Sequence, residues 1–139
     1  MNDPHNLERF VSAQAPVYDS VLAELRAGRK RSHWMWFIFP QCAGLGRSPT
    51  SQKYAIASLD EAAAYLAHPL LGARLRECCS LVARLDGLSA NHIFGEPDDM
   101  KFHSSLTLFA DVAPDEPIFV ECLNKYFDGV PDDATLALI

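Results

Sequence analysis

Apolar side chains recur every three or four residues in several short segments of this chain, which is the pattern of α-helices with one buried face. The first segment runs from Leu7 to Leu25, and Gly28 follows it where glycine commonly ends a helix. Pro16 interrupts this segment, so we expect either a kink or two shorter helices. The spacing therefore favours a helical protein built from short elements.

Helical signals continue along the rest of the chain. Ser58 and Glu61 have the spacing of a capping box, in which the two side chains accept hydrogen bonds from backbone N–H groups at the helix start. An apolar stripe ends at Gly87, residues 117–127 predict another helix, and Asp132 suits the cap of a last short turn. We predict an all-α fold, with residues 1–139 forming a single compact globular domain of roughly six to eight short helices.

Two apolar runs leave an alternative open. Residues 34–39 are continuously apolar and end at Pro40, so periodicity cannot separate a buried strand from a short buried helix. Residues 105–109 are also short and apolar with alternation, although Phe102, Leu106 and Phe109 have helical spacing. If both runs were strands, the fold would be α+β with one small sheet.

Size, charge and cysteine content narrow the classes of function. A chain of 139 residues can bury a core without disulfides, and a net charge of −6 argues against nucleic acid or an anionic membrane as a partner. We expect a cytoplasmic protein, because no secretory signal is visible and no apolar run approaches the roughly 20 residues that span a bilayer. The four cysteines suit buried thiols, and the five histidines lack metal-binding spacing, so we predict neither a metal nor a cofactor. The oligomeric state is not indicated.

Residues 29–36 combine three cations, a histidine and two tryptophans. Guanidinium groups can grip phosphate or carboxylate and indole faces can stack on a base, so the mixture suits an anionic, possibly nucleotide-like phosphorylated metabolite. The glycine loop at 41–48 could present backbone N–H groups to the same anion. Equally, the tryptophans could fill a core and the cations could solvate a helix end. The candidate ligand-binding residues are Lys30, Arg31, Trp34, Trp36, Gln41, Arg47 and Ser48.

A second candidate group lies on the helix predicted after Pro97. Lys101 lies close to Ser104 in the sequence and one helical turn from Ser105, and a desolvated lysine can act as a base towards a serine. His33 lies between cations and a tryptophan, and histidine is the side chain best suited to act as a general acid or base near neutral pH. The candidate catalytic residues are His33, Lys101 and Ser104, although capping and backbone hydrogen bonds would explain the same serines without catalysis. Whether the protein is an enzyme stays open.

The string from Lys30 to Gln41 (KRSHWMWFIFPQ), followed by Gly44-Leu45-Gly46-Arg47-Ser48, resembles the signature of domain of unknown function 1810, a bacterial family sometimes labelled calpastatin-like. The resemblance extends along nearly the whole chain, through His68-Pro69 and Ile93-Phe94-Gly95 to Ser104-Ser105. It implies a small, mostly helical cytoplasmic domain and no established activity. Cys42, Phe102 and Leu106 depart slightly from the family pattern.

Two functional hypotheses follow. In the first, the protein binds or converts the anionic metabolite, and residues 31–48 and 98–105 face one pocket. In the second, it is a noncatalytic protein-interaction module, in which the Trp34–Phe39 aromatic segment forms a surface with a cationic rim. Tryptophans on a convex surface would favour the interaction module, whereas tryptophans lining a cleft would favour the ligand-binding hypothesis.

Overall fold

The structure, a computed structural model that describes residues 2–139, is all-α, as predicted. The described residues form ten helices rather than six to eight, because four of the helices are only four or five residues long. No helix in this range is long and apolar enough to cross a membrane. The helices are α1 (Glu8–Gln14), α2 (Tyr18–Arg26), α3 (Met35–Ile38), α4 (Pro49–Lys53), α5 (Leu59–Ala67), α6 (Leu71–Ala83), α7 (Ala90–Phe94), α8 (Asp98–Val112), α9 (Pro117–Phe127) and α10 (Asp133–Leu136).

The α+β alternative is wrong. Residues 35–38 form the short helix α3, and residues 105–109 lie inside α8. Within residues 2–139 the β-structure amounts to an isolated bridge between Cys42 and Ile56. Neither run shows a polar face, because its residues are buried on nearly every side. A short helix inside the core is therefore as apolar as a buried strand.

Most helix ends follow the local signals. Pro16 separates α1 from α2, and Gly28 has a φ of 74° just beyond the end of α2. Ser58 Oγ accepts a hydrogen bond from Glu61 N at 3.1 Å, as the capping box predicts. The other half differs, since Glu61 Oε1 accepts from Ala57 N at 3.2 Å instead of from Ser58 N.

The core surrounds α8, which packs against α5, α7, α9 and α10. Phe102 is fully buried, and its ring centroid lies 5.0 Å from that of Phe39 and 4.6 Å from that of Phe94. This aromatic cluster joins α8 to the segment of α3 and to α7. It therefore fixes the start of α8 beside the loop that follows α3.

The four cysteine thiols are buried, as predicted. Burial raises the pKa of Cys78 to about 12 and raises the pKa of Cys79 as well. A thiol held in its neutral form is a poor nucleophile. These side chains act as small core hydrophobes.

Candidate functional site

The loop between α2 and α3 carries the three cations of residues 29–31, which we call the basic cluster. The carboxylate of Glu24 holds this loop in place. Oε1 accepts hydrogen bonds from Arg31 N at 2.6 Å, Ser32 N at 2.9 Å and Trp34 Nε1 at 3.0 Å, while Oε2 accepts from Ser32 Oγ at 2.7 Å. Desolvation by burial tends to raise the pKa of Glu24, but these hydrogen bonds outweigh it and lower the pKa overall. Glu24 therefore fixes both the course of the loop and the position of the buried indole.

One carboxylate, that of Asp98 at the start of α8, connects the basic cluster to the second candidate group. Asp98 Oδ2 lies 2.8 Å from Lys30 Nζ, and Oδ1 lies 3.6 Å from Lys101 Nζ. Lys30 Nζ also lies 5.1 Å from the ring centroid of Trp34, and Lys101 Nζ lies 5.0 Å from that of Trp36. The fold thus brings parts of both sequence-predicted groups together.

A cleft of about 310 Å³ lies between the loop that follows α3, the first turns of α8 and the residues at the start of α10. Three of the candidate residues line it together, namely Gln41, Lys101 and Ser104. Apolar lining comes from Leu45 and Met100. We call this space the Lys101 cleft.

Ser104 contributes to the wall of the Lys101 cleft through a hydrogen bond to Asp132. Its Oγ lies 3.1 Å from Asp132 Oδ2 and 3.0 Å from Met100 O, so one hydroxyl proton is shared between two acceptors. Asp132 Oδ2 also accepts from Thr135 Oγ1 at 2.6 Å and from Thr135 N at 3.1 Å. Among the described residues no hydrogen bond joins Ser104 to Lys101, so the geometry does not assemble the serine–lysine pair considered from the sequence.

Three polar groups in the cleft keep unused hydrogen-bonding capacity. Within the described chain, the side-chain amide of Gln41, which lines the cleft, makes no hydrogen bond. Lys101 Nζ has the Asp98 carboxylate and the Trp36 ring as its neighbours, which leaves donors free. Asp132 Oδ1 makes no hydrogen bond to residues 2–139, in contrast to Oδ2.

Two glycines shape the loop beside the cleft. A Cβ on Gly46 would lie 2.4 Å from Ser51 Cβ and 3.3 Å from Gln41 Nε2, so only glycine lets the loop pack this closely. Gly44 has a φ of 101°, which a side chain would make unfavourable. Ser48 caps α4 by accepting from Ser51 N at 3.1 Å, so its hydroxyl is occupied in the fold.

The remaining candidates lie elsewhere. Trp34 is 0% exposed with its Nε1 bonded to Glu24, so its indole is not open to a ligand. Arg31, His33 and Arg47 are exposed and lie outside the set of residues that line the Lys101 cleft. Trp36 is half-buried beneath Lys101.

Sequence reasoning missed the position of Asp132 in the cleft. The sequence predicts Asp132 as the cap of a last short turn, and the structure confirms that role. Its contact with Ser104 joins residues 28 positions apart and leaves no local signal.

Ser105 is 1% exposed, and its Oγ has no hydrogen-bond partner in the part of the chain that the structure describes.

The fold and the Lys101 cleft define a small all-α domain with a mixed-charge cleft. The chain belongs to the family described as "Protein of unknown function (DUF1810)", whose model matches residues 4–139, which confirms the resemblance in the sequence. It is similar to the conserved hypothetical protein Rv1873 from Mycobacterium tuberculosis, known from a crystal structure, at 58% sequence identity and a TM-score of 0.97. That match covers 99% of this chain and 98% of the other. No curated protein matched the chain.

Proposed function

We propose that this protein binds a small anionic metabolite in the Lys101 cleft. The observation that carries the proposal is that the Lys101 ammonium group and the Gln41 amide, which has no hydrogen-bond partner among residues 2–139, line the same cavity. They come from segments 60 residues apart, so the fold has to bring them together. An ammonium group and an amide N–H are suited to the oxygen atoms of a carboxylate or phosphate.

The charges next to Lys101 support an anionic group at that position of the cleft. Lys30 and Lys101 share one carboxylate, that of Asp98, and Lys30 is the closer of the two at 2.8 Å against 3.6 Å. These three groups carry one net positive charge beside the cleft, and the Asp132 carboxylate in the lining balances it, so the attraction for an anion is local to Lys101. The side chain of Lys101 is 20% exposed, so its attraction for an anion acts through a medium less polar than water and is stronger than it would be in water.

The size and lining of the cleft favour a compact ligand. A volume of about 310 Å³ is at the lower end for small-molecule sites. The nucleotide-like form of the ligand has weaker support than other anions, because Trp34 is buried and Lys101 lies over the Trp36 ring. Arg31 and Arg47, which could have held a phosphate, do not line the cleft.

The interaction-module hypothesis has less support than ligand binding. Within the segment Trp34–Phe39, Trp36 is half-buried and the other side chains are buried. An aromatic segment that lies inside the core offers little area to a partner. Binding rather than catalysis is proposed, because Ser104 is engaged by Asp132 and Met100.

Thermal-shift measurements with inorganic phosphate, adenosine monophosphate, sugar phosphates, dicarboxylates and amino acids test this function. A compound present at about 100 times its dissociation constant should raise the melting temperature of a domain this size by about 9 °C. Calorimetric titration of the best compound should then give a dissociation constant that Lys101→Gln weakens at least about tenfold, because a charged hydrogen-bond donor is lost.

Lys125→Gln is the matched control. Lys125 Nζ also lies near a carboxylate, 3.7 Å from Asp86, and over an aromatic ring, 5.8 Å from the centroid of Tyr126, but it is outside the cleft. This control should bind as the wild type does. Equal weakening by both variants, or no response to any anion in the panel, would contradict the proposal.

A further inference from the structure

The Lys101 cleft contains a negative charge that a purely anionic ligand would not use. Asp132 lines the cavity with Gln41 and Lys101. Its Oδ2 atom is occupied by Ser104 and Thr135, while Oδ1 has no hydrogen bond to the described chain. The carboxylate is therefore held in place by one oxygen and has the other available.

Resting on the proposed function, we infer that the ligand is a zwitterion, in which an acidic group meets Lys101 and Gln41 and an ammonium group meets Asp132. Both charged residues line the same cavity of about 310 Å³, so a ligand of matching length can contact both. An anion without a donor would lie beside the Asp132 carboxylate with no compensating contact, which costs affinity. A ligand of both charges satisfies Lys101 and Asp132 together.

The surroundings of Asp132 support its role in selection. Thr107 Oγ1 accepts a hydrogen bond from Asp132 N at 2.9 Å, so backbone and side chain of this residue are both tethered to α8. A carboxylate held by a rigid helix loses little conformational freedom on binding, which favours affinity and selectivity. The apolar side chains of Leu45 and Met100 would contact the carbon chain between the two charged groups.

The test uses a length series of unbranched amino acids, from glycine and 3-aminopropanoate to 6-aminohexanoate. Each is compared with the carboxylate that lacks the amino group and the amine that lacks the acid. Binding is measured by NMR chemical-shift perturbation and titration, which detect weak complexes. At least one zwitterion should bind at least about tenfold more tightly than both of its half-analogues.

Two variants assign the two ends of the ligand. Asp132→Asn keeps an N-cap residue, so the start of α10 is preserved, and it should reduce the affinity for the zwitterion to that for the carboxylate. Lys101→Gln should reduce it to that for the amine. Asp133→Asn, at the exposed neighbouring position, should have no effect.

The outcomes separate this inference from the proposed function. If carboxylates bind as well as the zwitterions and Asp132→Asn leaves binding unchanged or tighter, the zwitterion inference is overturned and anion binding stands. If Lys101→Gln has no effect on any ligand, or if no member of the series or the anion panel binds, both are overturned.

Discussion

Replacing Glu24 with alanine should destabilise the protein by about 2–4 kcal/mol, because one carboxylate accepts four hydrogen bonds from the loop before α3. The donors of Arg31 and Ser32 are near solvent and can bond to water in the variant. The Nε1–H of Trp34 belongs to a fully buried residue, and leaving it unpaired alone costs about 1–3 kcal/mol. The lost bonds to a charged acceptor account for the remainder.

Chemical denaturation followed by tryptophan fluorescence and circular dichroism measures this loss. Coincident transitions by the two probes establish two-state unfolding, and extrapolation to water gives the free energy of unfolding. Glu121→Ala, at an exposed helical position of α9, is the control and should change stability by less than about 0.5 kcal/mol. A Glu24→Ala variant as stable as this control would refute the anchoring role of Glu24.

The same anchor should be sensitive to acid. The hydrogen bonds lower the pKa of Glu24 below its ordinary value of 4.5, so the folded state favours the charged carboxylate. A group whose pKa is depressed on folding stabilises the protein fully above its unfolded pKa and loses that contribution as the pH falls through its folded pKa. The stability difference between wild type and Glu24→Gln should therefore be largest near neutral pH and shrink below about pH 4.5. A difference that stayed constant under acid conditions would contradict this account.

Two further substitutions test the packing. Arg9→Ala should cost about 3–5 kcal/mol in free energy of unfolding, because Arg9 Nη2 pairs with the buried Glu61 at 2.7 Å and its loss leaves an uncompensated charge. Arg84→Ala, at an exposed position, is the control and should leave the free energy of unfolding nearly unchanged. Gly72→Ala should lower the melting temperature by several degrees, because the alanine Cβ would lie 2.1 Å from the backbone oxygen of Leu66. A melting temperature equal to that of the wild type would contradict this and would mean that α5 and α6 separate easily.

The predictable parts of the fold are those determined by neighbouring residues. Gly28, Ser58 and Asp132 act within a turn of their helix ends, and the structure confirms each. The run 34–39 could not be assigned, because α3 is surrounded by core on nearly all sides and shows no polar face. The count of helices was too low for a related reason, since single-turn helices carry too few residues to show a period.

For the candidate site, too, the sequence shows which residue types are present but not the contacts that they make across the fold. The density of cations before α3 singled out Lys30, but the side chain turns to Asp98 across the fold. Arg31 and His33 are exposed, and the sequence cannot show which way a loop residue faces. The grouping of Gln41 with Lys101 required tertiary packing that brings the start of α8 to the loop after α3.

If the Lys101 cleft binds the proposed ligand, the hydrogen bond between Ser104 and Asp132 would couple the position of the short helix α10 to that binding. A four-residue helix has little stability of its own and holds its position through contacts with α8. Local opening of α10 would remove one wall of the cleft, so occupancy and docking of this helix are thermodynamically linked. A bound molecule would slow amide hydrogen exchange in residues 132–136, and a weakened helix would release that molecule faster.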